Sequence, residues 1–595
     1  MRTAILCLFA LCVAPATAVA QEVSIRTGDA PDDLKNLLKA NSLLFGLEDT
    51  DQRNPQDYVA AANADYARMV ETLYQEGYFG GTVRIEIDGR EAETIPPLQP
   101  PASIRSVIIR VDPGPRFTFG RTRIAPLPRR TEIPEAFATG LPAETDAIRQ
   151  SVRTGITAWR EDGHAKAAIA EESVIARHDQ SRLDVNVRLD PGPRLTFGRL
   201  IIEGNQNVRT ERVRAIAGLP EGEVFSQSEL DRAEERLRRT GTFSSAALIE
   251  ADQIAPGGSL PITAQIAERL PRRFGFGAEV SSDQGVSLSA FWLHRNLLGG
   301  AERLRVEGEI SGLGGTTGGQ DYVLTTTFNR PATFSSDTDL YALASIEERD
   351  EPEFFSRQVR GEIGLTRYVN DRVTVSAGVG FRIGETEDDL GERDYTYITF
   401  PVSGEWDRRD NVLNPTEGFY LEADAIPFLA VSDTDSGGRV DLDARYYLRP
   451  LATDRVVLAF RGQLGSLLGP PADEAPADFL YFSGGGGTVR GQEFQSLGVE
   501  VDGDTTGGRS FLGASAEARV GVTDRISVVG FYDYGFIGPD SFYSDEGDDH
   551  AGAGLGIRYD TGIGPIRLDV GTPVSGGDDD DSPSIQVYIG IGQAF

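Results

Sequence analysis

Four consecutive glycines, Gly484–Gly487, lead into Thr488, Val489, Arg490, Gly491 and Gln492, and this is the stretch whose composition most suggests ligand chemistry. Glycine-rich loops can cradle phosphates with their backbone N–H groups, but that use needs a Lys-Ser/Thr after the glycines and a strand-loop-helix frame. Neither is present. What remains is a single cation, Arg490, in a long glycine-rich segment.

Other chemistry is poorly served. His164, His178, His294 and His550 are scattered singly without ligand spacing, so they read as ordinary surface or strand residues. Cys7 and Cys12 are the two cysteines, both within the first 20 residues. No Gly-x-Ser-x-Gly elbow, zinc motif or paired-carboxylate constellation stands out, so no catalytic residue, metal or cofactor is expected and the chain does not read as an enzyme. A formal net charge of −33 argues against a nucleic-acid partner, whose phosphates require basic surface.

The elements that must position Arg490 follow from the rest of the 595 residues. Arg2, the apolar run 4–13 and Ala18-Val19-Ala20 have the layout of a secretory signal peptide, so residues 1–20 are expected to be a leader and Gln21 the first mature residue. Beyond it no apolar run reaches the roughly 18 to 20 residues of a membrane-spanning helix. Insertion in a membrane therefore has to be as a barrel.

The front half repeats. Asp112-Pro113-Gly114-Pro115-Arg116 is followed by Phe117-Thr118-Phe119-Gly120-Arg121, and Asp190-Pro191-Gly192-Pro193-Arg194 by Leu195-Thr196-Phe197-Gly198-Arg199, a shift of 78 residues. Each copy closes one strand, turns and opens another, as in a tandem array. The order expected within each unit is strand, two helices, two strands. The third unit shows it best, with a strand at 195–203, helices at 208–217 and 226–240, and strands at 246–252 and 261–266. Ser226 and Glu229 have capping-box spacing and Gly241 stands where a helix ends. In the first two units the long helices are expected at 56–75 and 146–161.

From Phe274 onward the texture becomes two-residue alternation broken by Gly, Asp and Asn. Leu512, Ala514, Ala516, Ala518 and Val520 alternate with Gly513, Ser515, Glu517 and Arg519, and Ile566, Leu568 and Val570 with Arg567 and Asp569. About 320 residues at about 10 per strand plus connections suit roughly 16 antiparallel strands. Entering from the periplasm at Phe274 puts the long acidic connections 384–394, 431–438, 469–507, 538–549 and 575–584 outside and short ones, such as 368–372, inside. The acidic run Asp578–Asp581 reads as a solvated loop.

With these residues in view, the front repeats resemble POTRA domains, and Val489-Arg490-Gly491 resembles the lid-loop signature of the outer-membrane assembly barrels that include BamA, TamA and the two-partner secretion transporters. Asp407-Arg408-Arg409-Asp410 with Asn414-Pro415-Thr416-Glu417-Gly418 resembles a mid-barrel turn of that superfamily. Gly556-Ile557-Arg558-Tyr559 with Gly564-Pro565-Ile566-Arg567-Leu568-Asp569 resembles its penultimate strands. The alternating end of the chain, with its terminal aromatic Phe595, resembles a barrel-insertion signal. Gln492 departs from the pattern, where the family usually has an aromatic.

The resemblance implies an α+β arm of POTRA repeats followed by an all-β transmembrane barrel of about 16 strands: a signal peptide at 1–20, POTRA domains at 21–115, 116–193 and 194–270, and a barrel at 271–595 with its lid loop at 470–507. It implies that Arg490 meets Glu517 and Asp533 on the lumen wall. It also implies an assembly factor working through a weak seam between the first and last strands, where Gly590 and Gly592 fit weak pairing. Three POTRA units bring it closest to TamA-like subunits, whose partner is a TamB-like inner-membrane-anchored periplasmic protein and whose clients are autotransporters and other nascent outer-membrane proteins. The surroundings are outer-membrane lipid and lipopolysaccharide. A two-partner-type secretion pore and a passive channel are the other readings.

Overall fold

A computed structural model describes residues 22–47, 54–431, 434–450, 455–501, 503–523, 525–561, 564–576, 585–591 and 593. The expected leader, Asp578–Asp581, Gly592 and Phe595 lie outside the described residues. The chain divides into two compact units, one of residues up to 198 with 221–229 and 253–260, the other of 199–220, 230–252 and 261 onward.

The first unit holds two small sheets. In one, Glu22–Arg26 runs parallel to Ser106–Asp112, with antiparallel Thr82–Ile87 on the other side and the short Arg90–Glu91 beyond. In the next, Thr118–Ala125 runs parallel to Arg182–Asp190, whose antiparallel neighbour is Ala168–Arg177. Helix Pro55–Gln75 starts with proline at its first turn and the Asn54 side chain accepting from Gln56 N. It buries Tyr58, Val59, Ala62, Met69 and Leu73, a stripe at helical spacing.

The expected two helices per unit do not hold throughout. Three helices, Asp32–Ala40, Leu43–Gly46 and Pro55–Gln75, accompany the first sheet, and a single one, Thr145–Glu161, accompanies the second among the described residues. The segment before that helix contains Pro126, Pro128, Pro134 and Pro142. Proline removes backbone donors and biases the preceding residue away from helix, so this stretch stays irregular.

The repeated Asp-Pro-Gly-Pro-Arg has a physical reason. Asp112 and Asp190 each accept from the N–H two residues on, Gly114 at 3.2 Å and Gly192 at 3.0 Å, and both glycines have positive φ. The arginines then cap the preceding helix: Arg116 Nε donates to Glu76 O at 2.9 Å and Arg194 Nε to Asp162 O at 3.0 Å. Phe117 N and Leu195 N donate to Gly77 O and Gly163 O, both at 2.8 Å. One motif thus fastens each new unit to the helix end of the last.

A third sheet follows in the order Thr196–Glu203, Ser259–Glu268, Phe243–Glu250, with helices Thr210–Ala217 and Gln227–Arg239. Ser226 Oγ accepts from Glu229 N at 3.3 Å, one half of the capping box.

The barrel runs from Arg272–Ser281 to Gln586–Ile591 and closes on itself. Gly391–Thr399 and Val402–Asp407 are two halves of one strand, because both pair with Val373–Asp388 and with Gly418–Ala430 in unbroken register. Between them Pro401 has no N–H to offer, although its carbonyl still accepts from Gly378 N at 2.9 Å. Seventeen segments minus that division give sixteen antiparallel strands. The connection expected at 384–394 is instead mostly strand, with Asp388 paired to Gly391. Its acidic residues read as loop but stand on a paired hairpin, where Glu385 meets Arg357 at 3.2 Å.

Burial in the barrel is inside out relative to a soluble fold. Ile346, Ile363, Phe381, Ile383, Leu429, Phe460 and Leu555 are exposed on the outer face, while Glu347, Gln358, Glu517, Arg519, Asp533, Arg558 and Asp569 are buried inside. Alternating residues on each strand produce this, and hydrocarbon is the surrounding in which an apolar exterior of this kind is stable. No helix among the described residues is long and apolar enough to cross a membrane.

Candidate functional site

Arg490 sits in the connection between Val456–Leu468 and Ser510–Gly521, which folds back into the lumen. Its guanidinium forks onto Asp533, Nε to Oδ2 at 2.7 Å and Nη2 to Oδ1 at 3.0 Å. Its Nη1 reaches Glu517 Oε1 at 2.6 Å and Asp569 Oδ2 at 3.4 Å. Its Cζ lies over the Phe531 ring, 3.8 Å from the centroid.

Two further arginines balance the three carboxylates. Arg519 Nε donates to Glu517 Oε2 at 2.8 Å, and Arg558 Nη1 to Asp569 Oδ1 at 2.5 Å. Three cations therefore face three anions. Burial works against the charge of Arg490, but the bonds and charges of Asp533, Glu517 and Asp569 outweigh it and hold its proton more tightly than usual. Removing one partner from such a buried set typically costs about 3–5 kcal/mol.

The neighbours of Arg490 complete the seat. Val489 is fully buried. Gly491 has φ +99 and an added Cβ would stand 2.6 Å from the backbone of Thr572, so only glycine fits. Gly552 lies so close to Arg490 O that a side chain there is also excluded. Gln492, in the place of the family aromatic, donates Nε2 to Ala551 O and to Ser575 O, both at 2.8 Å. It docks by hydrogen bonds where the resemblance implies ring packing.

The same loop touches both sides of the barrel closure. Gly491 N donates to Tyr588 Oη at 3.3 Å on the last strand, and Phe494 N to Asp283 Oδ2 at 3.1 Å in the turn after the first strand. Among the described residues the closure pairs Val280↔Ile589 and Ser281↔Tyr588, and Ser282 N donates to Val587 O at 3.1 Å, whereas the first strand pairs with its other neighbour from Arg272 to Ser281. Arg567–Glu279 at 2.8 Å and Ser282 Oγ to Gln586 Oε1 at 2.5 Å reinforce it.

Several participants escape a reading of the sequence. Asp569 belongs to the third acid of the cage and is visible in retrospect from its parity, since Ile566, Leu568 and Val570 face out. His550, expected to be an ordinary residue, is fully buried with Nε2 2.8 Å from Ser483 Oγ of the same loop. No sequence signal marks that contact. Phe595, the expected insertion signal, lies outside the described residues.

Comparison with known proteins places this geometry. The Omp85 superfamily domain model matches residues 296–595, and a POTRA model, the surface antigen variable number repeat, matches 195–269. The outer membrane protein assembly factor BamA of Neorickettsia risticii is 22% identical over 502 residues, 78% of this chain and 64% of the relative. The chain spans less than two thirds of the length of the curated relatives it matches. Among solved structures, BamA from Haemophilus ducreyi lacking POTRA domains 1–3 superimposes with TM-score 0.59 at 17% identity, covering 80% of this chain and all of that one. CdiB from Acinetobacter baumannii gives 0.52 at 12% identity, covering 81% and 90%. A barrel with this belt and a POTRA arm resides in the outer membrane with the arm in the periplasm. Matched by the family model over just over half of its length, the chain belongs to the Omp85 superfamily.

Proposed function

We propose that the chain is an outer-membrane protein assembly factor that inserts or translocates client barrels, autotransporters included, and does so without breaking covalent bonds. The observation that carries this reading is that, among the described residues, the first strand pairs with the last through Val280↔Ile589 and Ser281↔Tyr588, whereas it pairs with its other neighbour from Arg272 to Ser281. An open strand edge offers N–H and C=O groups to an incoming strand through main-chain hydrogen bonds, which tolerates diverse client sequences. The relative named above is an assembly factor, which supports the same reading.

In this proposal 1–20 is a signal peptide, 21–115, 116–193 and 194–270 are POTRA domains, and 271–595 is the barrel. Val489, Arg490, Gly491 and Gln492 form the lid motif, with Glu517 and Asp533 as lumen partners. Phe595 serves the chain's own insertion. Three POTRA-type units favour a TamA-like role beside a TamB-like partner anchored in the inner membrane.

The test is reconstitution of the full chain in liposomes with a urea-unfolded outer-membrane barrel as client, following client folding by heat-modifiable gel mobility. The proposal expects folding faster than in empty liposomes; equal rates contradict it. Crosslinking in cells followed by mass spectrometry separates the subtypes. A large inner-membrane-anchored periplasmic protein supports the TamA-like role, and a single abundant secreted polypeptide points instead to a dedicated secretion pore.

A further inference from the structure

Away from the arginine cage, the lumen contains a cavity of about 690 Å³ between the lid loop and the barrel wall. Arg349, Arg360 and Arg382 line it together with Glu347 on the strands from Thr338 to Asp388, and Glu422, Asp424 and Asp441 line it together with Arg439, the ion-pair partner of Asp441, on the strands from Gly418 to Leu448.

The three arginines of the first group are incompletely neutralised. Arg360 and Arg382 stand directly opposite each other on neighbouring strands, a like-charge pair that destabilises a sheet unless something offsets it. Arg382 has Asp478 at 3.8 Å and lies over the Phe479 ring, 4.4 Å from its centroid. Arg349 reaches Glu347 at 3.3 Å. Arg360 has no hydrogen bond or ion pair to the described residues, and its Nε is shielded from solvent without a hydrogen-bond partner, as is Arg349 Nε. The acids nearest in charge, Glu347 and Glu362, are already engaged: Glu347 accepts from Ser345 Oγ at 2.6 Å and Gln358 Nε2 at 3.2 Å, and Glu362 accepts from Tyr341 Oη.

Leaving guanidinium donors unpaired in a partly desolvated wall is costly, and a phosphate or carboxylate matches their planar, two-pronged geometry. We propose that Arg349, Arg360 and Arg382 form an anion-binding site in the barrel lumen that takes a small phosphate- or carboxylate-bearing solute. The volume lies within the range of small-ligand sites, and Glu422 and Asp424 in the same lining favour a solute whose far end is neutral or cationic over a fully anionic one. This site does not depend on the assembly function proposed above.

The experiment is isothermal titration calorimetry on the full chain in detergent, with inorganic phosphate and separately 4-aminobutyrate, a carboxylate with a cationic far end, as probes at constant ionic strength. Saturable binding of at least one probe is expected, and which one binds identifies the anion class. Arg360→Gln should weaken it about tenfold or more, the loss of charge-assisted hydrogen bonds. Arg149→Gln, the same change on an exposed helix face, should leave it unaltered. Heat-modifiable mobility checks that each variant is folded, and Arg382→Gln replaces Arg360→Gln if the latter does not fold. Absence of saturable binding of both probes to the unaltered chain overturns the proposal. So does a folded Arg360→Gln or Arg382→Gln chain that binds as tightly as the original.

Discussion

Arg490 and Asp533 are joined three times: by Nε to Oδ2 at 2.7 Å, by Nη2 to Oδ1 at 3.0 Å, and by the Arg490 backbone N to Oδ2 at 3.1 Å. Side chain and main chain of one loop residue therefore converge on a single wall carboxylate, and both partners are almost wholly buried. The lid is fixed in position as well as in charge.

Arg490→Ala should release the lid while the barrel remains closed. The expected loss of docking energy is about 3–5 kcal/mol, because Asp533, Glu517 and Asp569 lose their shared cation. Limited proteolysis of the folded chain reads it as much faster cleavage between Gly484 and Ser496, with heat-modifiable mobility unchanged. Arg490→Lys should fall between, since an ammonium cannot make the two parallel bonds.

Gln492→Leu tests whether hydrogen bonding serves in place of an aromatic tip. It keeps much of the bulk but strands the Ala551 and Ser575 carbonyls, for an expected cost of about 1–3 kcal/mol in lid docking. The same proteolysis assay should place it between the original chain and Arg490→Ala; cleavage no faster than the original would show these bonds to be dispensable.

Much of this site was legible. Glu517 alternates with Ala516 and Ala518, and Asp533 lies in a strand of the same period, so their inward direction follows from the two-residue repeat. The number of strands followed from length and spacing. Asp569 was equally readable by parity but needed the third dimension to bring it to Arg490. The single helix of the second repeat was not legible in a pattern that treats units as identical; its prolines carry that information locally. His550 against Ser483, and the docking of Gln492 on two carbonyls, depend on where a long loop settles, and no periodicity encodes that.

In the second unit, Arg236 forks onto Asp337 in a barrel turn, with both bonds at 2.7 Å, and Arg239 lies 3.5 Å from the Tyr368 ring centroid. The Arg236 bonds hold the Asp337 carboxyl below its ordinary value of 3.8. Because the native pKa is depressed, this contribution is complete above that ordinary value and is lost as pH falls through the lower native one. Hydrogen exchange of helix Gln227–Arg239 should be faster in Arg236→Ala at neutral pH. The difference from the original chain should shrink in strong acid; a difference independent of pH would remove Asp337 from the account.

If clients enter by the proposed route, the closure between first and last strands must open to admit them. Val280 and Ile589 are register partners on the outer face, and the chain's own cysteines, Cys7 and Cys12, both fall in the expected leader. A Val280→Cys, Ile589→Cys chain, reconstituted in liposomes, can therefore be locked by one disulfide and released by reductant. Client folding should fall to the empty-liposome rate when the chain is oxidised and recover on reduction. Equal client folding in the locked and released states would show that the closure need not open.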